Sequence, residues 1–313
     1  MPETEGLYYS DGSFKSAKQI KYENIDSPEL IRSKTENRDP SFYEWIDEFI
    51  RRRDLKDKVE GMPSEIDITI ETNEPIVIAL IGDPHAGGYE VDYELLATDI
   101  AFISQHKQGY VIFGGDIVEG FFFNPAQDEQ IASYNQQRKF SNSMIKEVGL
   151  DKILFFEAGD HDFWSAKMGT TIYDELRDST GIPIVRGSTK TNLHLPGVDY
   201  KIVSAHKLPG SSMYNETHPE NRESKFGTQG ADIYIGWHTH KKGVSKQAVE
   251  TFDGCIEQLY ISNGPYKYSD AYSKKSGWSK QGDKKRGAVF LVLYPFEKQM
   301  NGYYSINEVQ KVL

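Results

Sequence analysis

Aspartates and histidines recur along this 313-residue chain in five short segments: Asp83-Pro84-His85, Gly115-Asp116, Gly159-Asp160-His161-Asp162, His206, and Gly236-Trp237-His238-Thr239-His240. Carboxylate oxygens and imidazole nitrogens together suit divalent manganese, iron, zinc or magnesium, whereas lysine and cysteine would serve poorly for ions that also bind phosphate. Two cations held about 3.5–4 Å apart by such a set can clamp phosphoryl oxygens and lower the pKa of a bridging water, which is hydrolytic chemistry. Five of the eight histidines fall inside these segments, while His106, His194 and His218 read as ordinary surface or core residues. Buried core histidines satisfied by hydrogen bonds would leave the His238-Thr239-His240 pair at a strand end unexplained.

The segments need elements that deliver them to one place. Ile66–Ile70 alternates as a half-buried strand does, and Ile76–Ile81 is a continuous apolar run that suits a strand buried on both faces. It stops at Gly82-Asp83. Leu95, Leu96, Ile100 and Ile103 recur at helical spacing, and the short strand 110–113 then runs into Gly114-Gly115-Asp116. A helical stretch near 139–148 precedes a strand at 153–156 that ends at the third segment. A strand at 200–204 leads to His206, and another at 233–235 leads to the last segment; further strands follow near 258–262 and 288–294. In α/β sheets, ligand sites lie just beyond the carboxyl ends of strands. Five strand ends meeting on one rim is therefore the expected arrangement.

Length and composition bound the rest. The chain can form one large α/β domain or two smaller ones, and 38% apolar and 27% charged residues suit a soluble globular protein. No run approaches the ~20 apolar residues of a membrane helix. The acidic start, Met1-Pro2-Glu3-Thr4-Glu5, lacks an apolar signal segment, and the single cysteine, Cys255, excludes an intrachain disulfide. A cytoplasmic location is expected. The net charge of −11 argues against non-specific coating of nucleic acid but not against a nuclease, because bound cations reverse the local field.

The ordered series D-x-H, G-D, G-D-H-D, H and G-x-H-x-H resembles the calcineurin-like metallophosphoesterase superfamily over roughly residues 76–242. The resemblance implies a four-layer α-β-β-α sandwich of two mixed sheets flanked by helices, with residues 61–313 as the phosphoesterase domain. Residues 1–60 would be a polar arm and a docking helix. It implies two divalent metal ions, manganese foremost, with iron, zinc or magnesium as alternatives. Asp83, His85 and His240 would hold the first ion, Asp116 would bridge both, and Asp160, His206 and His238 would hold the second. His161 would not ligate but act as proton donor or phosphate partner, with Asp162 orienting it or supporting its loop. Two departures stand out. Trp237 separates Gly236 from His238, and Asp160 stands where the family has asparagine, placing a negative charge beside the second ion.

The implied activity is hydrolysis of a phosphoester by a bridging hydroxide, as a phosphodiesterase on a nucleotide or nucleic acid. One alternative is a nuclease similar to the double-strand-break-repair branch; only 73 residues follow His240, so a full DNA-contacting cap is not expected. The other alternative is a docking module that keeps the metal fold. Arg222 and Lys225 could meet a substrate phosphate. Phe121-Phe122-Phe123 and Trp164 could stack on a base, although packing beneath a loop is the plainer role. The stretch 266–286 interleaves Tyr266, Tyr268, Tyr272 and Trp278 with seven lysines and arginines, and reads as a solvated excursion or an anion contact. Residues 1–38 read as an extended arm through which a protein partner could bind. Asp39-Pro40-Ser41 marks a helix start, followed by Phe42, Trp45, Ile46, Phe49 and Ile50 at helical spacing, and Arg51–Arg53 read as its solvated end.

Overall fold

The computed structural model describes residues 41–60, 62–121, 129–168, 170–251, 254–268 and 285–313. The chain divides into two units, Met1–Gly61 and Met62–Leu313. The expected arm, residues 1–38, lies outside the described residues, as do Asp39 and Pro40. Helix α1, Phe42–Glu60, starts where Ser41 and Glu44 cap each other: the Ser41 N–H donates to Glu44 Oε2 at 2.7 Å, and the Glu44 N–H donates to Ser41 Oγ at 3.4 Å. Ser41 is therefore the cap in this structure. Arg51 and Arg52 both pair with Glu48 at 2.8 Å on an exposed helix surface.

The second unit runs β1 (Glu65–Thr69), β2 (Ile76–Ile81), α2 (Tyr93–Gln105), β3 (Gly109–Phe113), α3 (Tyr134–Val148), β4 (Ile153–Glu157), α4 (Ile172–Thr180), β5 (Ile184–Val185), β6 (Thr189–Leu195) and β7 (Val198–Ala205). It continues with α5 (His218–Phe226), β8 (Ile233–Gly236), β9 (Gly243–Thr251), β10 (Gly254–Ser262), β11 (Val289–Leu293), β12 (Met300–Tyr303) and α6 (Ile306–Val309). The strands form two six-stranded mixed sheets, one ordered β12-β11-β2-β3-β4-β5 and the other β1-β6-β7-β8-β10-β9. No described helix is long and apolar enough to cross a membrane.

The continuous apolar run of β2 has a simple cause. Ile76, Ile78 and Leu80 face the space between the sheets, where they meet Leu193, Tyr200, Ile233, Leu259 and Ile261. Val77, Ala79 and Ile81 face the opposite way, against Leu96 and Ile100 of α2, Met144 and Ile145 of α3, and Tyr173 and Leu176 of α4. Both faces of the strand are thus core, which is why alternation is absent. Helix α5 covers β8 and β10 on the far side of the second sheet. The layers are helix, sheet, sheet, helix.

The sheet register aims the site. Strands β2, β3, β4 and β5 are parallel, and so are β7, β8 and β10. The carboxyl ends of β2, β3, β4, β7 and β8 lead directly into the five aspartate- and histidine-bearing segments. Trp237 closes the slot between them: it is 1% exposed, and a Cβ on Gly82 or Gly114 would lie 2.0 or 2.1 Å from its indole. Only glycine leaves room for the ring at either strand end. The extra residue in the last segment is therefore a core side chain that spaces the strand ends of the two sheets.

Candidate metal centre

Asp83, His85, Asp116, His238 and His240 have φ values of 50°, 47°, 49°, 64° and 53°, and among the described residues they are the non-glycine residues with positive φ. Each such conformation is strained by about 1–3 kcal/mol and persists only where the surroundings over-determine it. Here backbone bonds do so. The N–H groups of Asp83 and His85 donate to the carbonyls of Gly115 and Asp116, both at 3.0 Å, extending the β2–β3 pairing past the strand ends. The His238 N–H donates to Asp83 Oδ2 at 3.1 Å, and the His161 N–H donates to Asp116 Oδ1 at 2.8 Å. A Cβ on Gly159 would sit 2.0 Å from the Asp116 nitrogen, so the loops after β3 and β4 touch backbone to backbone.

The side chains converge in two adjoining groups. In the first, His240 Nε2 lies 3.4 Å from Asp83 Oδ1 and 3.3 Å from His85 Nε2, and His85 Nε2 lies 4.0 Å from Asp83 Oδ1. In the second, His206 Nε2 lies 3.3 Å from Asp116 Oδ2, and ligand atoms of Asp116, His206 and His238 all fall within 4.8 Å of one another. Asp160 Oδ2 stands 3.9 Å from His238 Nδ1, with its side chain 48% exposed. His161 offers an atom within 4.8 Å of His85 and Asp116, which sets it between the two groups.

The donor set fits cations. Asp83 Oδ1 and His206 Nε2 are buried without a hydrogen-bond partner, which is unfavourable unless something positive sits between them and their neighbours. Facing ring nitrogens at 3.3 Å likewise require a proton or a cation between them. Burial resists ionisation of Asp116, but the charge of His206 and His161 outweighs it and holds the carboxyl well below its usual range. Burial pulls His206 down, yet Asp116 and Asp83 push it up to about 10. The field of the pocket thus draws positive charge, and a metal must displace that proton. His85 and His238 are lowered chiefly by burial, which keeps both imidazoles neutral and able to ligate.

Neighbouring groups orient the rings. His206 Nδ1 donates to the Gly114 carbonyl at 2.8 Å, turning Nε2 inward. His85 Nδ1 lies 3.0 Å from Glu119 Oε2. Glu119 was absent from the sequence expectations; the signal was an acid three residues after Asp116 beside an apolar run. His161 Nδ1 lies 2.7 Å from the Glu119 carbonyl oxygen, and its ring stacks on Trp164 at 3.9 Å between centroids. Phe121 meets the same imidazole edge-on at 5.2 Å; Phe122 and Phe123 lie outside the described residues.

Asp162 is fully buried and accepts from the Val118 and Gly159 N–H groups at 3.2 and 3.3 Å and from the Tyr173 hydroxyl at 2.5 Å. These bonds tie its carboxylate to loop backbone, while the ring nitrogen of His161 is met by Glu119. Arg222 and Lys225 are exposed on α5, and no described contact joins either to the cluster. The segment 208–227 holds that helix because Thr217 and Pro219 start it and Glu220 and Glu223 turn inward. The described ends of the 266–286 stretch are packed, not solvated: Tyr266 donates to Asp99 at 2.8 Å, and Arg286 pairs with Asp92 at 2.8 Å beneath the Tyr268 ring. Tyr272 and Trp278 lie outside the described residues.

Glu220 sits under the last segment, where a Cβ on Gly236 would approach its Oε1 to 2.3 Å, and burial pushes its carboxyl up to about 8. A carboxyl with a raised folded pKa contributes stability that is complete below its unfolded value, ~4.3, and is lost as pH rises to about 8. Glu220→Gln should therefore gain on the parent, by on the order of a few kcal/mol, between pH 4 and pH 9. Urea unfolding at both pH values checks this; an unchanged difference would contradict it.

No protein-family model and no curated protein matches this sequence. Solved structures do. A provisionally named 5'-nucleotidase from Staphylococcus aureus aligns with 74% of this chain and 53% of its own, at 14% identity and a TM-score of 0.40. The NAD nucleotidase of Haemophilus influenzae aligns with 74% of this chain and 49% of its own, at 11% identity and 0.38. The nuclease MPE of Pseudomonas putida aligns with 72% of this chain and 87% of its own, at 12% identity and 0.33. The chain spans about half the length of the first two.

Proposed function

We propose that this chain is a metallophosphoesterase of the calcineurin-like kind, acting on phosphodiesters. The observation that carries this reading is the convergence of Asp83, His85 and His240 beside Asp116, His206 and His238 on the ends of β2, β3, β7 and β8. Asp83, His85 and His240 would hold one divalent ion and Asp160, His206 and His238 the other, with Asp116 shared. Bound there, the ions would polarise the phosphoryl oxygens and make an activated water available near neutral pH. The chain's own groups supply the remainder. Strained backbone at five of the ligands pre-sets their geometry, and Trp237 keeps the two strand-end sets in register. Neutral His85 and His238 are ready to ligate. With Nδ1 held by Glu119, His161 presents Nε2 toward the pocket, where its cationic form can protonate a leaving alkoxide.

Purified chain stripped of metal and resupplied with Mn²⁺ should cleave bis-p-nitrophenyl phosphate faster than p-nitrophenyl phosphate. Cleavage of DNA alone would shift the reading to a nuclease. No turnover of any phosphoester with metal bound would shift it to a docking module. Asp160 allows a finer test. Its carboxylate adds a negative charge at the mouth of the pocket, which favours the cation and repels an anionic phosphate. Asp160→Asn should weaken Mn²⁺ binding by about tenfold, ~1.4 kcal/mol, and lower KM for an anionic diester. Titration of Mn²⁺ with parallel kinetics measures both; unchanged affinity and rate would reject this role.

A further inference from the structure

Glu119 and Lys267 are 148 residues apart in sequence and meet at 2.5 Å in the interior, with side chains 0% and 3% exposed. An ion pair buried this deeply needs further partners to be tolerated. Glu119 has one in His85 Nδ1, at 3.0 Å. Its backbone serves a second ring, because the Glu119 carbonyl lies 2.7 Å from His161 Nδ1. The two imidazoles touch edge to face, 4.6 Å between centroids. One residue thus meets the outer nitrogen of two histidines with different tasks.

We propose that Lys267 and Glu119 form a buried positioning pair that fixes the orientation and tautomer of both His85 and His161, an inference that rests on the proposed metal centre. The carboxylate, with Oε2 3.0 Å from His85 Nδ1, draws the ring proton to that nitrogen and leaves the Nε2 lone pair facing Asp83 and His240. The carbonyl accepts the His161 Nδ1–H and leaves Nε2 facing the pocket. Lys267 anchors the carboxylate from the opposite side. Its own position is set by the segment after β10: the Tyr266 N–H donates to the Asp83 carbonyl at 3.2 Å, the Asp92 N–H to the Tyr266 carbonyl at 2.8 Å, and the Tyr268 N–H to the Glu90 carbonyl at 2.7 Å. The lysine therefore links β10 of one sheet to the loop after β2 of the other. Lysine suits this place because a single compact ammonium can serve the carboxylate while also lying over the Phe121 ring, with Nζ 5.7 Å from its centroid.

The test uses the full chain labelled with ¹⁵N-histidine, without metal, and then with Mn²⁺ alone. In the parent, both rings should show the Nδ1–H tautomer. Lys267→Met should lose that signature at His85, and Mn²⁺ titration should show one of two sites weakened by about 10–100-fold. Lys267→Arg should keep the signatures. Glu119→Gln, which retains size and the backbone carbonyl, should disturb His85 while leaving His161 unchanged, and it carries the test if Lys267→Met does not fold. Parent-like tautomers and Mn²⁺ affinity in both Lys267→Met and Glu119→Gln would overturn the proposal. Its failure is distinguishable from failure of the functional reading, because tautomer and Mn²⁺ affinity are read without any phosphoester.

Discussion

Asp116→Asn is expected to reduce phosphodiester turnover by about 10³-fold or more, ~4 kcal/mol of barrier, and to lower bound Mn²⁺ from two ions per chain to one or none. Among the described residues, no other side chain occupies an equivalent place. Its Oδ2 faces His206 at 3.3 Å, its Oδ1 accepts the His161 N–H at 2.8 Å, and the same carboxylate has an oxygen within 4.8 Å of a His85 ring nitrogen. An amide keeps the volume and the hydrogen bond from His161 but gives up the negative charge on which both groups draw. Since burial already disfavours an ion here, the charge is retained only because His206 and His161 compensate it. Metal analysis beside steady-state kinetics separates the outcomes. Full metal content with full activity would show that Asp116 is not shared.

The second large effect is at His161, and its size should depend on the leaving group. His161→Ala is expected to slow cleavage of a dinucleotide by about 10²–10⁴-fold, because a departing alkoxide needs a proton. The loss with bis-p-nitrophenyl phosphate should be much smaller, since p-nitrophenolate leaves without one. Both metal ions should remain. The stacked Trp164 and the Glu119 carbonyl hold the ring for this task. Equal losses on the two substrates together with loss of metal would assign His161 to ligation, a role its proximity to His85 and Asp116 permits.

The sequence made the strand ends legible wherever burial was two-sided. Ile76–Ile81 was bounded to the residue, and strand 153–156 was found to within one, because continuous apolar runs mark central strands. Polar edge elements were not legible. Strand β9, Gly243–Thr251, carries Lys246, Gln247 and Glu250 on a sheet edge, where pairing with β10 and not composition makes the strand. The helix His218–Phe226 has no apolar periodicity for a related reason: its inward face is made of Pro219, Glu220 and Glu223. At the site, residue type and spacing named the ligand candidates, but no local pattern could name Lys267, whose partner lies 148 residues away. Trp237 looked like a break in a motif and is a core side chain spacing two sheets. Nor could the sequence reveal that the backbone at five of the ligand candidates is left-handed.

The most direct test titrates Mn²⁺ into the metal-free chain while following bis-p-nitrophenyl phosphate cleavage. Turnover should be absent without metal and rise to a plateau as the second ion per chain binds. A chain that binds two ions and leaves the diester intact would contradict a two-metal phosphodiesterase.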